Sequence, residues 1–196
     1  ETSDDAIFSY QPDGTVLSWN AAAQKIFGYP AAEMIGRNIS VLAPPERAHE
    51  VQHGAWLLQH GKRVPPFESE RVTREGRLVQ VQVSTSAVRD PAGNVVRIAA
   101  ILRDVTERKQ AEEARAWLAA IVENSNDAIF TRALDGTILS WNAGAERMLG
   151  YAPAEAIGKP ISFTLPPGRQ PNLARNNEKV LRGESVAPHE SNRMTR

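Results

Sequence analysis

Three histidines on one predicted helix are the side chains best suited to binding a metal ion or a haem iron. Together with a tryptophan they recur at helical spacing and form one stripe, His49, His53, Trp56 and His60. At about 100° per residue this stripe lies opposite the apolar side of the helix, which should face the core. His49 and His53 could chelate a surface metal across one turn, but two ligands without a third make a weak site. We therefore predict that the histidines face solvent.

Arginines and tryptophans at matching places in the chain could contact a small ligand. Arg71 and Arg193 each follow a glutamate by three residues and could bind an acidic molecule. We interpret them instead as exposed cross-strand charges, each worth under about 1 kcal/mol. Trp19 and Trp141 each end a predicted strand beside a helix cap. Either could stack on a ligand, although we favour an aromatic that seals the junction of strand and helix.

The composition argues against several other chemistries. Lys plus Arg equals Asp plus Glu at 23 each, so no net charge attracts nucleic acid or an anionic membrane surface. The absence of cysteine removes disulfides and thiolate metal sites and fits a cytoplasmic protein. No catalytic triad order, phosphate-binding glycine loop or paired-carboxylate motif stands out. The most apolar run, residues 95–102, is far shorter than the roughly 18 residues of a membrane span. We expect neither an enzyme nor a membrane segment in this chain.

The elements that position these residues occur twice. Residues 3–74 align with residues 125–196 without a gap, and 33 of the 72 positions are identical. The first copy continues past Arg74 to Glu107, and this part has no counterpart in the sequence. We therefore expect the second copy to lack its last two strands.

Within the first copy the patterns predict two strands, a helical segment and three further strands. Asp13-Gly14 between two β-prone runs predicts a hairpin, while Asn20 and Gly28 bracket a short helix as its N-cap and its end. The helices that follow are predicted at residues 31–35, 39–42 and 46–60, and the strands at residues 67–74, 78–88 and 95–105. This order predicts an α+β fold with an antiparallel sheet.

The run DGTxLSWNxxAxxxxGYxxxExIG, present in both copies, resembles the PAS family, and Asp104-Val105-Thr106 resembles the D-[IV]-T that ends its members. The resemblance implies tandem PAS sensory domains of a bacterial-type signal-transduction protein. It implies a first domain at 1–106, a helical signalling linker at 107–124 and an incomplete second domain at 125–196. Each complete domain should have a five-stranded antiparallel sheet in order 2-1-5-4-3, with helices over one face around a small pocket. Candidate pocket residues are Phe8, Leu17, Ile26, Phe27, Ile35, Ile39 and Leu42.

The same resemblance bears on cofactors and partners. Ile39 stands where light-oxygen-voltage PAS domains carry a flavin-reactive cysteine, which excludes a covalent photoadduct and leaves non-covalent flavin open. The iron-ligand position of haem-binding PAS sensors corresponds to Glu50 rather than to His49 or His53. We expect no cofactor, with haem or flavin as alternatives. Expected partners are a second copy of the chain, a downstream histidine kinase or diguanylate cyclase, and a small-molecule ligand. The alternative is a pure dimerisation module that binds no ligand.

The linker carries the predicted route of the signal. Asp104 with Glu107 fits a capping box, so a helix should run over residues 105–124. Asp104 and Thr106 would then couple the last strand to this helix. A heptad seam is formed by Ala111, Ala114, Leu118 and Ile121. Because two heptads do not prove a coiled coil, packing on the adjacent sheet remains an alternative to the parallel dimer that we favour.

The incomplete second copy should have an unsatisfied sheet. Its first strand, residues 127–132, would have a free edge, and its third, near residues 189–196, would have lost its neighbour. Unpaired strand edges are unstable or adhesive. We expect either strands beyond Arg196 or strands of another chain to fill the gap.

Overall fold

The computed structural model describes residues 3–167, 173–188 and 190–196, without the side chains of residues 173 and 174. The chain divides into two compact units, Glu1–Glu112 and Glu113–Arg196. Pro171, which matches His49 in the repeat, and His189, at the start of the predicted third strand of the second copy, lie outside the described residues. So does the side chain of Leu173, which matches Val51 of the first copy in the repeat. No helix in the described part of the chain is both long enough and apolar enough to cross a membrane.

The first unit contains the predicted five-stranded antiparallel sheet. Its strands are β1 (Ala6–Tyr10), β2 (Val16–Trp19), β3 (Phe67–Val72), β4 (Leu78–Arg89) and β5 (Val95–Asp104). They lie in the order β2-β1-β5-β4-β3, which confirms the prediction. Alternate residues of β4, Val79, Val81 and Val83, are buried on one face. This period of two is the pattern of a sheet with one buried face.

Short helices connect β2 to β3. They are α1 (Ala21–Phe27), α2 (Ala31–Met34), two 3₁₀ turns at Ile39–Leu42 and Pro45–Arg47, and α3 (Ala48–Gln59). The long helix therefore begins at Ala48 rather than at residue 46. The difference follows from Pro44-Pro45, because the chain first makes a 3₁₀ turn closed by the bond from Arg47 N to Pro44 O.

Asn20 fixes the start of α1 and ties it to β1, as the cap prediction requires. Its Oδ1 accepts hydrogen bonds from Ala23 N at 2.8 Å and from Ile7 N at 3.0 Å. Gly28 ends the helix with φ of 78°, a backbone conformation that favours glycine. Trp19 is buried, and its indole donates to Tyr29 O at 2.9 Å. It packs against Phe8 and Phe27, which places it in the strand–helix junction.

The helix that follows β5, α4, spans Thr106–Asn124, close to the predicted bounds. None of its side chains is buried within the described chain.

The second unit reproduces the opening of the first. It contains β6 (Phe130–Arg132), β7 (Ile138–Trp141), α5 (Ala143–Leu149), α6 (Pro153–Ala156), a 3₁₀ turn at Ile161–Thr164, and α7 (Leu173–Leu181). Its sheet has two strands, β6 and β7, and among the described residues it lacks the last two strands of the fold, as expected for the incomplete copy.

Two strand predictions for this unit were wrong. Residues 190–196 form no strand, and β6 is shorter than the predicted residues 127–132. The cause is the absence of neighbours. In the first unit β5 pairs with β1 from Ala6 onward, whereas among the described residues β6 pairs only with β7. Without a second neighbour, the backbone before Phe130 has no ladder to join.

Candidate functional site

The first unit encloses a cavity of about 40 Å³ between α3 and the inner face of the sheet. Because a water molecule needs roughly 10–15 Å³ of such space, the cavity has room for about three waters or a comparably small molecule. Much of the wall is apolar and includes Phe8, Ile39, Leu42, Phe67, Val83 and Leu102. Four polar side chains also line it, Tyr10, Glu50, Arg71 and Thr85.

Three of the seven candidate pocket residues, Phe8, Ile39 and Leu42, line this cavity. The other four, Leu17, Ile26, Phe27 and Ile35, do not. Phe27 is buried against Trp19, and Leu17 and Ile26 are half-buried. Ile35 is 52% exposed, because it follows the single turn of α2 in extended conformation and precedes Gly36.

Arg71 is buried, which corrects the expectation of an exposed cross-strand charge. Its Nη1 donates to Glu50 Oε2 at 3.0 Å and to Ser69 Oγ at 2.6 Å. Ser69 Oγ in turn donates to the same Glu50 oxygen at 2.5 Å. Phe67, Ser69 and Arg71 alternate along β3, so all three point to the inner face. Arg193, the matching residue of the second unit, is exposed as expected but lies in no strand, and it donates to Thr164 Oγ1 at 2.9 Å.

The polar wall is ionised at Glu50 and Arg71 and neutral at Tyr10. Burial raises the pKa of Glu50, but the hydrogen bonds from Ser69, Arg47 and Arg71 outweigh it and leave this pKa below its usual value. Burial raises the pKa of Tyr10 to about 12, so its phenol keeps its proton at neutral pH. Burial lowers the pKa of Arg71, which begins far above neutrality. The wall therefore holds a buried ion pair next to an uncharged hydroxyl.

Thr85 contributes an unsatisfied group. Its Oγ1 is the one buried side-chain nitrogen or oxygen without a hydrogen-bond partner in the part of the chain that the structure describes. An unsatisfied buried hydroxyl costs about 1–3 kcal/mol. Because Thr85 lines the cavity, a molecule inside it could supply the missing partner.

The histidines of α3 are exposed, which confirms the prediction from their spacing. The ring of Trp56 lies 6.2 Å from that of His53 and 4.3 Å from that of His60. No group of three or more His, Asp or Glu side chains suited to a metal ion occurs among the described residues. The stripe is a solvated helix face.

The cavity does not fit haem or flavin in this conformation. Ordinary ligand pockets measure about 300–1,000 Å³, far above the space found here. Glu50, which the family resemblance places at the haem-ligand position, has both of its oxygens held by hydrogen bonds from Arg47, Arg71 and Ser69.

The start of α4 is bonded to the cavity-bearing sheet. Asp104 Oδ1 accepts from Thr106 N at 2.9 Å, two residues on, rather than from Glu107 as the predicted capping box requires. Thr106 Oγ1 accepts from Gln80 N at 3.1 Å, and Val105 N donates to Gln80 O at 2.9 Å. These bonds place the first turn of α4 at the end of β5 and beside β4.

Strand β3 is also linked to α4. Glu68, whose neighbour Phe67 lines the cavity, pairs with Arg108 at 2.6 Å and with Lys109 at 2.5 Å. The hydrogen bonds from Lys109 and Arg108 lower the pKa of Glu68. Adjacent residues of one strand therefore contact the cavity on one face and α4 on the other.

The predicted dimer seam lies open. Ala114, Leu118 and Ile121 are all exposed, Leu118 at 57% and Ile121 at 48%. Trp117, beside the seam, is 67% exposed. A helix with this much uncovered apolar surface is available to pack against another surface.

A five-stranded antiparallel sheet in the order 2-1-5-4-3, with short helices over a small cavity, is the architecture of PAS-type sensory domains. The chain belongs to this family, because the PAS fold model matches residues 1–105 and 117–186.

Named relatives agree with this assignment. Phytochrome 1 of Selaginella martensii is 28% identical over 171 residues, which cover 81% of this chain and 15% of the phytochrome. Two-component system protein A of Emericella nidulans is 33% identical over 127 residues, covering 62% of this chain and 18% of that protein. The chain thus spans less than a fifth of the length of either relative. The structure of an RNA-binding light-oxygen-voltage receptor is 25% identical, with a TM-score of 0.51, over 61% of this chain and 34% of that one.

Proposed function

We propose that the chain is a tandem PAS module in which the first domain senses a small ligand and passes a conformational signal through α4 to an output module. The observation that carries this proposal is the double role of β3. Phe67 lines the cavity, and the next residue, Glu68, holds Arg108 and Lys109 of α4. The signal would reach a histidine kinase or a diguanylate cyclase. The relative named as a two-component system protein supports an output of the kinase type.

The route from cavity to helix is short. A ligand that moves Phe67 or Ala100 displaces β3 or β5, and both strands are paired with β4. Gln80 on β4 bonds the chain at Val105 and Thr106 through its backbone. A shift of the sheet edge therefore changes the bonds that begin α4, a local change with a longer-range consequence.

The proposal can be tested by filling the cavity. Ala100→Val adds two methyl groups to the wall, whereas Ala99→Val, the matched control, adds them to the half-buried neighbour on the opposite face of β5. We expect hydrogen–deuterium exchange at residues 104–112 to change in the first variant and not in the second. Overpacking lowers the free energy of unfolding by about 1–3 kcal/mol, which by itself raises hydrogen exchange throughout the domain. The two variants are therefore compared under conditions in which their global stabilities are equal. Identical exchange at residues 104–112 in the two variants would contradict transmission from cavity to helix.

A second function, pairing of subunits without a ligand, is supported by the exposed seam of α4. Leu118 and Ile121 present apolar surface at heptad spacing, and packing with a second copy of the helix would remove that surface from water. The two functions are compatible, since a dimeric helix pair can carry a signal. Sedimentation of Leu118→Glu beside the unmodified chain distinguishes a dimer from a monomer.

A further inference from the structure

We propose that the ligand of the first domain is a small monocarboxylate, such as formate or acetate, that enters past Thr85 and takes the place of Glu50 beside Arg71. This inference rests on the proposed sensory role of the cavity and names the class of molecule that it takes.

The entrance is a basic groove between the end of α3 and β4. Val64 and Thr85 line both this groove and the inner cavity, so the two spaces meet at these side chains. Lys62, Arg63 and Arg89 also line the groove, and no Asp or Glu is among its lining residues in the described chain. A groove lined by one sign of charge attracts the opposite sign and raises its rate of entry. The entrance therefore favours an anion.

The wall beyond the entrance can hold a carboxylate. Arg71 is a buried guanidinium, the type of side chain that binds carboxylates most strongly. Thr85 Oγ1 lacks a partner and can donate to a ligand oxygen. The phenol of Tyr10, which also lines the cavity, is protonated and can donate as well. The apolar side chains opposite them suit a methyl group or a hydrogen rather than a second charge.

Glu50 accepts a hydrogen bond from Arg71, and it has a second arginine partner, Arg47. Its Oε2 faces Arg71, while its Oε1 already accepts from Arg47 Nη1 at 3.0 Å. The side chain of Arg47 is 39% exposed, so this second partner lies towards solvent. A ligand carboxylate can take over Arg71 while Glu50 keeps Arg47, which leaves neither carboxylate unpaired. Because Glu50 belongs to α3 and Arg71 to β3, the exchange also releases a tie between helix and sheet.

Size sets the upper limit on the ligand. The space of about 40 Å³ matches three or four non-hydrogen atoms. Formate and acetate meet this limit, and acetamide matches acetate in shape without its charge.

The test titrates the whole chain with sodium acetate, sodium formate and acetamide at constant ionic strength, read by NMR shifts of the β3 and β4 amides. We expect saturable binding of the two anions and none of acetamide. Thr85→Val should weaken acetate about tenfold or more, the loss expected for a hydrogen bond to a charged group. The same substitution at Thr15, in the turn between β1 and β2 and outside both the groove and the cavity, should not. Glu50→Gln should tighten acetate at least about tenfold, because the competing charge is removed. Arg71→Gln should abolish binding, while Arg193→Gln, its match in the second copy, should leave it unchanged.

Three results would overturn the ligand class: equal responses to acetate and acetamide, unchanged or weaker acetate binding in Glu50→Gln, or equal effects of Thr85→Val and Thr15→Val. The Thr85 and Glu50 variants keep the test decisive even if Arg71→Gln fails to fold. Failure of the sensory role looks different. Acetate that binds as expected, but leaves hydrogen exchange at residues 104–112 unchanged, upholds the ligand and refutes transmission. Absence of acetate binding, with α4 still responding to Ala100→Val, refutes the ligand class alone.

Discussion

Asn20 joins three backbone segments of the first domain, and we predict that Asn20→Ala destabilises this domain by about 2–3 kcal/mol. The side-chain oxygen accepts from Ala23 N and Ile7 N, at 2.8 and 3.0 Å. The side-chain nitrogen donates to Asp5 O at 3.0 Å. The alanine variant loses the helix cap and two ties to the first strand at once.

The magnitude follows from these three bonds. Loss of an N-cap costs about 1 kcal/mol. Each remaining bond contributes about 0.5–1.5 kcal/mol, and the lower half of that range applies here because Ile7 N lies near solvent. Together these losses give the predicted 2–3 kcal/mol.

Asn20→Asp is the matched control, because it keeps the accepting oxygen but puts a second oxygen in place of the amide nitrogen that donates to Asp5 O at 3.0 Å. The new carboxylate also lies at the N-terminus of α1, where negative charge is stabilising by about 0.3–1 kcal/mol. We therefore expect Asn20→Asp to cost no more than about 1 kcal/mol.

The assay must report each unit separately, because a two-unit chain need not unfold in one step. Incorporation of 5-fluorotryptophan gives one ¹⁹F signal for each tryptophan, and Trp19 and Trp141 are buried in the first and second units. Urea titration followed at Trp19 yields the stability of the first unit. A loss of less than about 1 kcal/mol in Asn20→Ala, or an equal loss in Asn20→Asp, would show that the three bonds of Asn20 do not stabilise the first unit as predicted.

Three further predictions concern the cavity, the seam and the second unit. Folding lowers the pKa of Glu50, so the ionised Glu50 adds to the free energy of unfolding above its unfolded pKa, and this addition is lost as the pH falls through its folded pKa. In urea titrations, the difference in unfolding free energy between the unmodified chain and Glu50→Gln should therefore shrink on acidification. Leu118→Glu should weaken self-association in sedimentation experiments, whereas Ala116→Glu, on the other side of α4, should not; equal sedimentation of the two variants would count against the seam. Gly144→Ala should disrupt the second unit, because the new Cβ would overlap the backbone carbonyl oxygens of Asp127 and Ser125. Ala22→Gly, at the matching position of the first unit, should lower the stability of that unit by only about 1 kcal/mol in the same ¹⁹F assay.

The fold was largely predictable because local signals agreed with one another. The Asp13-Gly14 turn, the Asn20 cap and the alternation along β4 each specify a backbone geometry through nearby residues alone. Errors arose where distant or competing contacts decide. The start of α3 moved because Pro44-Pro45 imposed a 3₁₀ turn, and β6 is short because a strand extends only where a neighbour pairs with it.

The cavity was less predictable. Phe8 and Ile39, pocket candidates implied by the family resemblance, line the cavity, whereas Arg71 was predicted from its charge alone to be exposed. Phe67 lies four residues before Arg71, so the two side chains share one face of β3, and the apolar Phe67 indicates that this face is buried. Thr85 continues the inward alternation of β4 in the same way. The space between these side chains depends on how α3 packs, which no sequence period reveals.

The two copies agree where the scaffold requires particular residues and differ at several positions of the cavity wall. Positions that cap, turn or seal are identical, as in the pairs Trp19/Trp141, Asn20/Asn142 and Gly28/Gly150. The cavity wall is only partly kept: Phe8/Phe130 and Ile39/Ile161 are identical, whereas Tyr10/Arg132, Leu42/Thr164 and Glu50/Asn172 differ. The arginine is shared, but Arg71 bonds a carboxylate and Arg193 bonds the hydroxyl of Thr164. Because Asn172 stands where the first copy has Glu50, the second copy has no carboxylate at this position for a ligand to replace. The exchange proposed for the first domain therefore cannot operate in the second. The repeat therefore predicts that both copies share a scaffold, whereas the binding chemistry of each copy depends on its own side chains.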